Sequence, residues 1–148
     1  MDEVDKKILN QLHLDSARAQ KEIAEGAGIT EPTLSKRVRA LRDTGIIKRF
    51  SVEIDYDQIG YDTHCMTLIS LDQHDQQKRD EVLQKLLAIN EVIEVYSVLG
   101  NQDYYVRWLC SSPRRVFELL ENAILPGVHT QTYVLAREYK REYGPKIE

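Results

Sequence analysis

The stretch from Glu22 to Arg42, EIAEGAGITEPTLSKRVRALR, restricts the first third of the chain to a pair of helices joined by a tight turn. Glu22 to Glu25 close one short helix. Gly26-Ala27-Gly28 breaks it, because glycine enters the left-handed region without a Cβ clash. Thr30 is placed to cap the next helix, and Pro32 falls in its first turn, where a missing N–H costs nothing. Leu34, Val38 and Leu41 recur at i, i+4 and i+7, which defines one buried face. The opposite face carries Pro32, Lys36, Arg39 and Ala40, flanked by Thr33, Ser35 and Arg37. Four basic residues and no acid lie between Thr33 and Arg42. A short helix, a glycine turn and a second helix with a basic outer face form the helix-turn-helix pattern. The bland alternative is a helical hairpin whose charges are merely solvated.

Charge distribution favours the first reading. The 148 residues carry a net charge of −4, which does not suit a protein that coats nucleic acid indiscriminately. Residues 1–50 hold ten basic and eight acidic residues, a balance of +2, whereas residues 51–148 hold ten and sixteen, a balance of −6. The positive charge is therefore concentrated on one helix of an otherwise acidic chain, as expected of a DNA-reading module joined to a different kind of domain. No segment is long and apolar enough to span a membrane. The acidic, amphipathic start, Met1 to Asp5, does not resemble a secretory signal, so a cytoplasmic location is expected. Cys65 and Cys110 stand without a CxxC partner or metal-ligand spacing and read as reduced cysteines. His13, His64, His74 and His129 are scattered. No zinc motif, glycine-rich phosphate loop or nucleophile elbow is present, and no cofactor or metal is expected.

Taken in order, Asp2 caps a first helix with the apolar stripe Val4, Ile8 and Leu12. A second helix begins near Ala19, where a serine or threonine would have completed a capping box with Glu22; alanine weakens that start by about 1 kcal/mol. The basic helix runs from Glu31 to Arg42 and stops at Gly45. Ile46 to Asp55 then alternates, with Phe50, Val52 and Ile54 on one side, and is expected to be a strand that either touches a phosphate backbone through Lys48 and Arg49 or connects to the next domain. Residues 57–62 form a loop. Beyond it the expected order is strand (63–71), helix (77–89), strand (92–99), strand (103–110), helix (113–124) and strand (128–135), a βαββαβ ferredoxin-like arrangement. The polar tail from Arg137 is a candidate extra edge strand. The fold class is thus α+β: a winged helix-turn-helix over 1–50, a connector over 51–62, and a ferredoxin-like domain over 63–148.

This organisation resembles the leucine-responsive regulator/asparagine regulator (Lrp/AsnC) family over essentially the whole chain. The marks are Asp5-x-x-Ile8-Leu9-x-x-Leu12, Asp15-x-x-Arg18, Glu22-Ile23-Ala24, and Val38-x-x-Leu41 leading to Gly45-Ile46-Ile47. Further on come Ile59-Gly60-Tyr61, Gly100-x-x-Asp103-Tyr104 and Leu125-Pro126-Gly127-Val128. Each is weak alone; their order makes the resemblance specific. It implies a homodimer that often assembles into octamers, sequence-specific binding to double-stranded DNA, and small effectors, commonly amino acids, held between ferredoxin-like domains.

The candidate DNA-binding residues are Thr30, Pro32, Thr33, Ser35, Lys36, Arg37, Arg39, Arg42, Lys48 and Arg49. Lys36 and Arg39 are placed to reach base edges; Arg37, Arg42, Lys48 and Arg49 are expected on phosphates. One helix reads few bases, so a symmetric dimer spanning half-sites about 34 Å apart is expected. The candidate effector residues are Gly100, Asn101, Gln102, Asp103 and Tyr104, with Thr130 and Thr132 supplying hydroxyls from one face of the last strand. Here the resemblance implies that Asp103 pairs with a ligand ammonium, while the residues alone favour an ordinary hairpin turn. Tyr104, Tyr105 and Trp108 read as sheet packing, and His129 as an exposed strand histidine. Two other readings compete. One is an amino-acid sensor without specific DNA binding. The other is an enzyme similar to haem-pathway decarboxylases, disfavoured because Val92 to Tyr105 contains no histidine and the basic helix is intact.

Overall fold

The computed structural model describes residues 1–71, 76–124, 126–140 and 144–148. The chain forms two compact units. One comprises Met1–Glu53 together with Lys140–Glu148, and the other Ile54–Tyr139.

The first unit is built on α1 (Glu3–Leu14), α2 (Gln20–Ala27) and α3 (Glu31–Asp43). Asp2 and Asp5 cap α1 reciprocally, each carboxylate accepting from the other's backbone N–H at 2.9 and 3.0 Å. Ala19 leaves α2 without a side-chain cap, as its methyl group requires. Helix α2 continues through Gly26, and Gly28, at φ 74°, is the residue that ends it. Thr30 occupies the N-cap position of α3, but its hydroxyl bonds to that of Thr33 at 2.9 Å instead of to a backbone N–H. Ile8, Ile23, Ala24, Ala27, Leu34 and Leu41 form the core, with Val4, Leu12 and Val38 packed against it. These are the stripes set by the 3.6-residue period.

The strand expected at Ile46–Asp55 does not form. The alternating pattern is present, yet no neighbouring strand is hydrogen-bonded to it among the described residues. A strand without a ladder leaves its N–H and C=O groups to solvent. Phe50, Val52 and Ile54 are accordingly 49, 81 and 44% exposed. The C-terminal residues also differ from expectation. They form no edge strand among the described residues; 141–143 lie outside them. Instead Lys140–Glu148 groups with the first unit, not with the ferredoxin-like elements that precede it. Asn10 of α1 fastens it there, donating to the Ile147 carbonyl and accepting from the Ile147 N–H, both at 2.9 Å.

In the second unit β1 (Thr63–Leu71), α4 (Gln76–Leu87), β2 (Val92–Ser97), β3 (Tyr104–Cys110), α5 (Pro113–Ala123) and β4 (Val128–Val134) follow the βαββαβ order. The sheet order is β2-β3-β1-β4, and every pair is antiparallel. Cys65, Thr67 and Ile69 of β1 and Tyr104, Val106, Trp108 and Cys110 of β3 are buried, and all but Thr67 form a core with Val82, Leu86, Val116 and Leu120. Of the intervening residues on the opposite face of the sheet, Leu109 is buried, whereas Met66, Leu68 and Tyr105 are only partly covered.

Candidate functional site

The DNA-facing candidates follow from the way α3 is packed. Burial of Leu34 and Leu41 fixes its rotation, which leaves Pro32, Thr33, Ser35, Lys36, Arg39 and Arg42 exposed. Among the described residues, none of Lys36, Arg39 and Arg42 forms an ion pair with protein. These cations are available to an external anion. A cleft of about 300 Å³ flanks them, floored by Ile23, Leu34 and Val38 and rimmed by Arg39, Arg42 and Phe50. Lys48 and Arg49 are exposed on the unpaired segment.

Arg37 departs from expectation. Its Nη1 lies 2.9 and 2.8 Å from the two carboxylate oxygens of Asp2 and 2.8 Å from Oδ1 of Asp5. A guanidinium engaged by two carboxylates is not a cation left open to a phosphate. The capping hydrogen bonds and Arg37 hold both acids below the usual carboxylate range, and the two acids raise Arg37 in turn. The partners are 35 and 32 residues apart in sequence, so no local spacing signals the arrangement.

At the effector candidates, Gly100 adopts φ 139°, a conformation that favours glycine. Asn101 is exposed, and Gln102 and Asp103 are partly buried. Asp103 is already engaged. Its N–H donates to the Ile69 carbonyl at 2.7 Å, its Oδ2 accepts from the Leu71 N–H at 2.7 Å, and its Oδ1 is ion-paired with Arg79 of α4. Tyr104 is buried and donates its hydroxyl to the Arg79 carbonyl at 3.3 Å; burial raises its phenol above the ordinary value. The Asp103 carboxylate therefore already has two protein partners, the Leu71 N–H and the Arg79 guanidinium.

The structure places Thr130 and Thr132 at the edge of the sheet. Ile69 lies opposite Tyr104 on one side and Thr130 on the other, so the loop and Thr130 flank the same residue of β1. Two strand spacings, about 10 Å, separate them. The Thr132 hydroxyl is bonded to that of Thr67 at 2.9 Å, and Thr67 accepts from the indole N–H of Trp108 at 2.9 Å. Sequence reasoning missed Arg79, which resembles any other basic residue of an amphipathic helix. It also missed Thr67, whose hydroxyl marks a polar position in an otherwise apolar strand face. Among the described residues, no group of His, Cys, Asp and Glu side chains is arranged to hold a metal.

A helix-turn-helix whose outer helix carries cations without an ion pair among the described residues, on the same chain as a ferredoxin-like unit, is the architecture of a two-domain DNA-binding protein. Comparison with known proteins gives the family. Residues 1–48 match the winged helix-turn-helix DNA-binding model, and residues 64–145 match the Lrp/AsnC ligand binding domain. The chain is 31% identical over 142 residues to the HTH-type transcriptional regulator FL11 of Pyrococcus horikoshii, spanning 95% of this chain and 92% of that protein. It is 31% identical over 124 residues to the regulatory protein AsnC of Haemophilus influenzae, spanning 84% and 81%. The structure of AsnC from E. coli superposes with a TM-score of 0.83 at 26% identity, covering 96% of each chain. A further likeness of fold, with a TM-score of 0.89 at 16% identity, is to the transcriptional regulator NMB0573 of Neisseria meningitidis in complex with L-Met, covering 100% of this chain and 96% of that one. The chain belongs to the Lrp/AsnC family of transcriptional regulators.

Proposed function

We propose that the chain reads DNA with α3 and regulates transcription in response to a small molecule, an amino acid, bound by its ferredoxin-like unit. The observation that carries the DNA reading is the pair Lys36 and Arg39. Both are exposed and free of ion pairs among the described residues, on a helix whose opposite face is locked by Leu34 and Leu41. In this reading Lys36 and Arg39 meet base edges in a major groove. Arg42, Lys48 and Arg49 meet phosphates, and Thr30, Pro32, Thr33 and Ser35 line the approach. The effector lies against Gly100 to Tyr104, with Thr130 and Thr132 nearby. The L-Met complex of the Neisseria relative supports the amino-acid class.

A homodimer is the assembly we propose, with octamers built from it. Two surfaces support this. One is the sheet face that neither helix covers, which presents Met66, Leu68, Tyr96, Tyr105 and Tyr133. The other is the segment with Phe50, Val52 and Ile54, whose alternation awaits a partner strand. The working location is the cytoplasm; among the described residues no helix is long and apolar enough to cross a membrane. Lys36→Ala with Arg39→Ala tests the DNA reading. Loss of preference for a duplex copied from the DNA upstream of the chain's own coding sequence, over a shuffled duplex, supports it. Retained preference removes α3 as the reading element. Light scattering that finds only monomer at working concentration removes the dimer.

A further inference from the structure

The N-terminal end of α1 presents its two capping carboxylates to α3, and one side chain of α3 takes both. Asp2 and Asp5 cap α1 reciprocally, so their carboxylates are already oriented by backbone N–H groups. Oδ1 of Asp5 and both oxygens of Asp2 converge on Nη1 of Arg37. A cap that is rigid by virtue of its backbone bonds makes a fixed anchor, unlike an ion pair between two free side chains.

We propose that Arg37 is a positioning residue for DNA reading: the guanidinium, seated on the α1 capping box, refines the rotation that the buried face of α3 sets and so aims Lys36 and Arg39. The argument is geometric. On a helix successive residues are about 100° apart, so any rotation that moves Arg37 relative to its anchor moves Lys36 and Arg39 by the same angle. The core contacts of Leu34 and Leu41 are apolar and non-directional. The three hydrogen bonds of Arg37 add direction, on the flank of the helix away from Arg39. The inference rests on the reading of α3 as the DNA-facing helix.

The charges give the test a distinctive sign. Removing two carboxylates from a DNA-binding unit strengthens its attraction for phosphate on electrostatic grounds alone. The brace demands the reverse. Asp2→Asn with Asp5→Asn removes the anchor's charge while the amide oxygens keep both halves of the capping box. Arg37→Gln removes the other partner. Binding is measured by fluorescence anisotropy on the full chain, with a duplex copied from the DNA immediately upstream of its coding sequence and a shuffled duplex, across a salt series. Thermal melts check that each variant is folded.

The expected result is that each variant loses about tenfold in the ratio of true to shuffled affinity, the worth of one good base contact. Combining all three substitutions adds little, and the salt slope stays that of the wild type. If Arg37 contacts a phosphate instead, Arg37→Gln lowers the magnitude of the slope by about 0.9, and Asp2→Asn with Asp5→Asn binds as selectively as the wild type or more tightly. That outcome overturns the proposal and leaves the DNA reading standing. A wild type without preference for the true duplex overturns both.

Discussion

Arg79 of α4 and Asp103, the residue before β3, are 24 residues apart in the chain and form an ion pair in which the carboxylate also accepts the Leu71 N–H. One side chain thus joins the end of β1, the first turns of α4 and the loop from Gly100. Asp103 is only 13% exposed, so its partners are not readily replaced by water.

Asp103→Ala leaves a guanidinium and a backbone N–H without their acceptor. Hydrogen bonds to charged groups contribute about 1.5–3 kcal/mol, so the unfolding free energy falls by about 2 kcal/mol. Asp103→Asn keeps an acceptor for Leu71 and costs less. Urea denaturation followed by tryptophan fluorescence measures both. Unchanged midpoints contradict the latch.

Trp108 is the single tryptophan of the chain, and it reports on this part of the molecule. Its indole N–H donates to Thr67, which is bonded to Thr132. Thr67→Val strands a buried indole N–H and costs about 1–3 kcal/mol, whereas Thr132→Val leaves the indole bond intact and removes only the hydroxyl–hydroxyl bond, at about 0.5–1.5 kcal/mol. The same urea series separates the two. Equal losses contradict Thr67 as the acceptor of the indole N–H.

Burial, reinforced by the Glu91 carboxylate and the Cys65 thiol, pushes the Cys110 thiol up to about 11 from an ordinary 9.0. The folded state therefore holds a proton that the unfolded state releases. The resulting stabilisation is fully present below 9 and is lost as the pH rises toward 11. Tyr104, raised by its own burial from 10.0, adds to the same loss. Denaturation midpoints are expected to fall across this interval, and Cys110→Ala is expected to flatten part of the fall. A midpoint that rises with pH there contradicts the assignment.

Ala19→Ser supplies the side-chain cap that α2 lacks and places a serine three residues before Glu22. The expected gain is about 1 kcal/mol, read as a higher melting temperature of the unit carrying Ile8 and Leu34. No gain means that the start of α2 is held by other contacts.

The parts of this architecture that sequence reveals are those with short-range periodicity. Leu34, Val38 and Leu41 mark the inner face of α3 by spacing alone, and Val4, Ile8 and Leu12 mark that of α1. The same logic misleads at Phe50, Val52 and Ile54: alternation records which side of a strand is apolar, while a ladder needs a partner that the pattern does not name. The site residues divide in the same way. Lys36 and Arg39 are outward because Leu34 and Leu41 are inward, which can be counted along the helix. Arg37 looks equivalent on a helical wheel, yet it is engaged by Asp2 and Asp5 from another helix. Asp103 reads as a turn residue or a ligand acid, and only the fold brings Arg79 to it.

The central claim is that Lys36 and Arg39 read DNA from a helix locked in place on its other face. Salt-titrated anisotropy of the Lys36→Ala, Arg39→Ala double variant against true and shuffled duplexes tests it most directly. The account predicts an unchanged melting temperature, weak residual binding that falls with salt, and equal affinity for the two duplexes. A folded variant that still prefers the true duplex contradicts it.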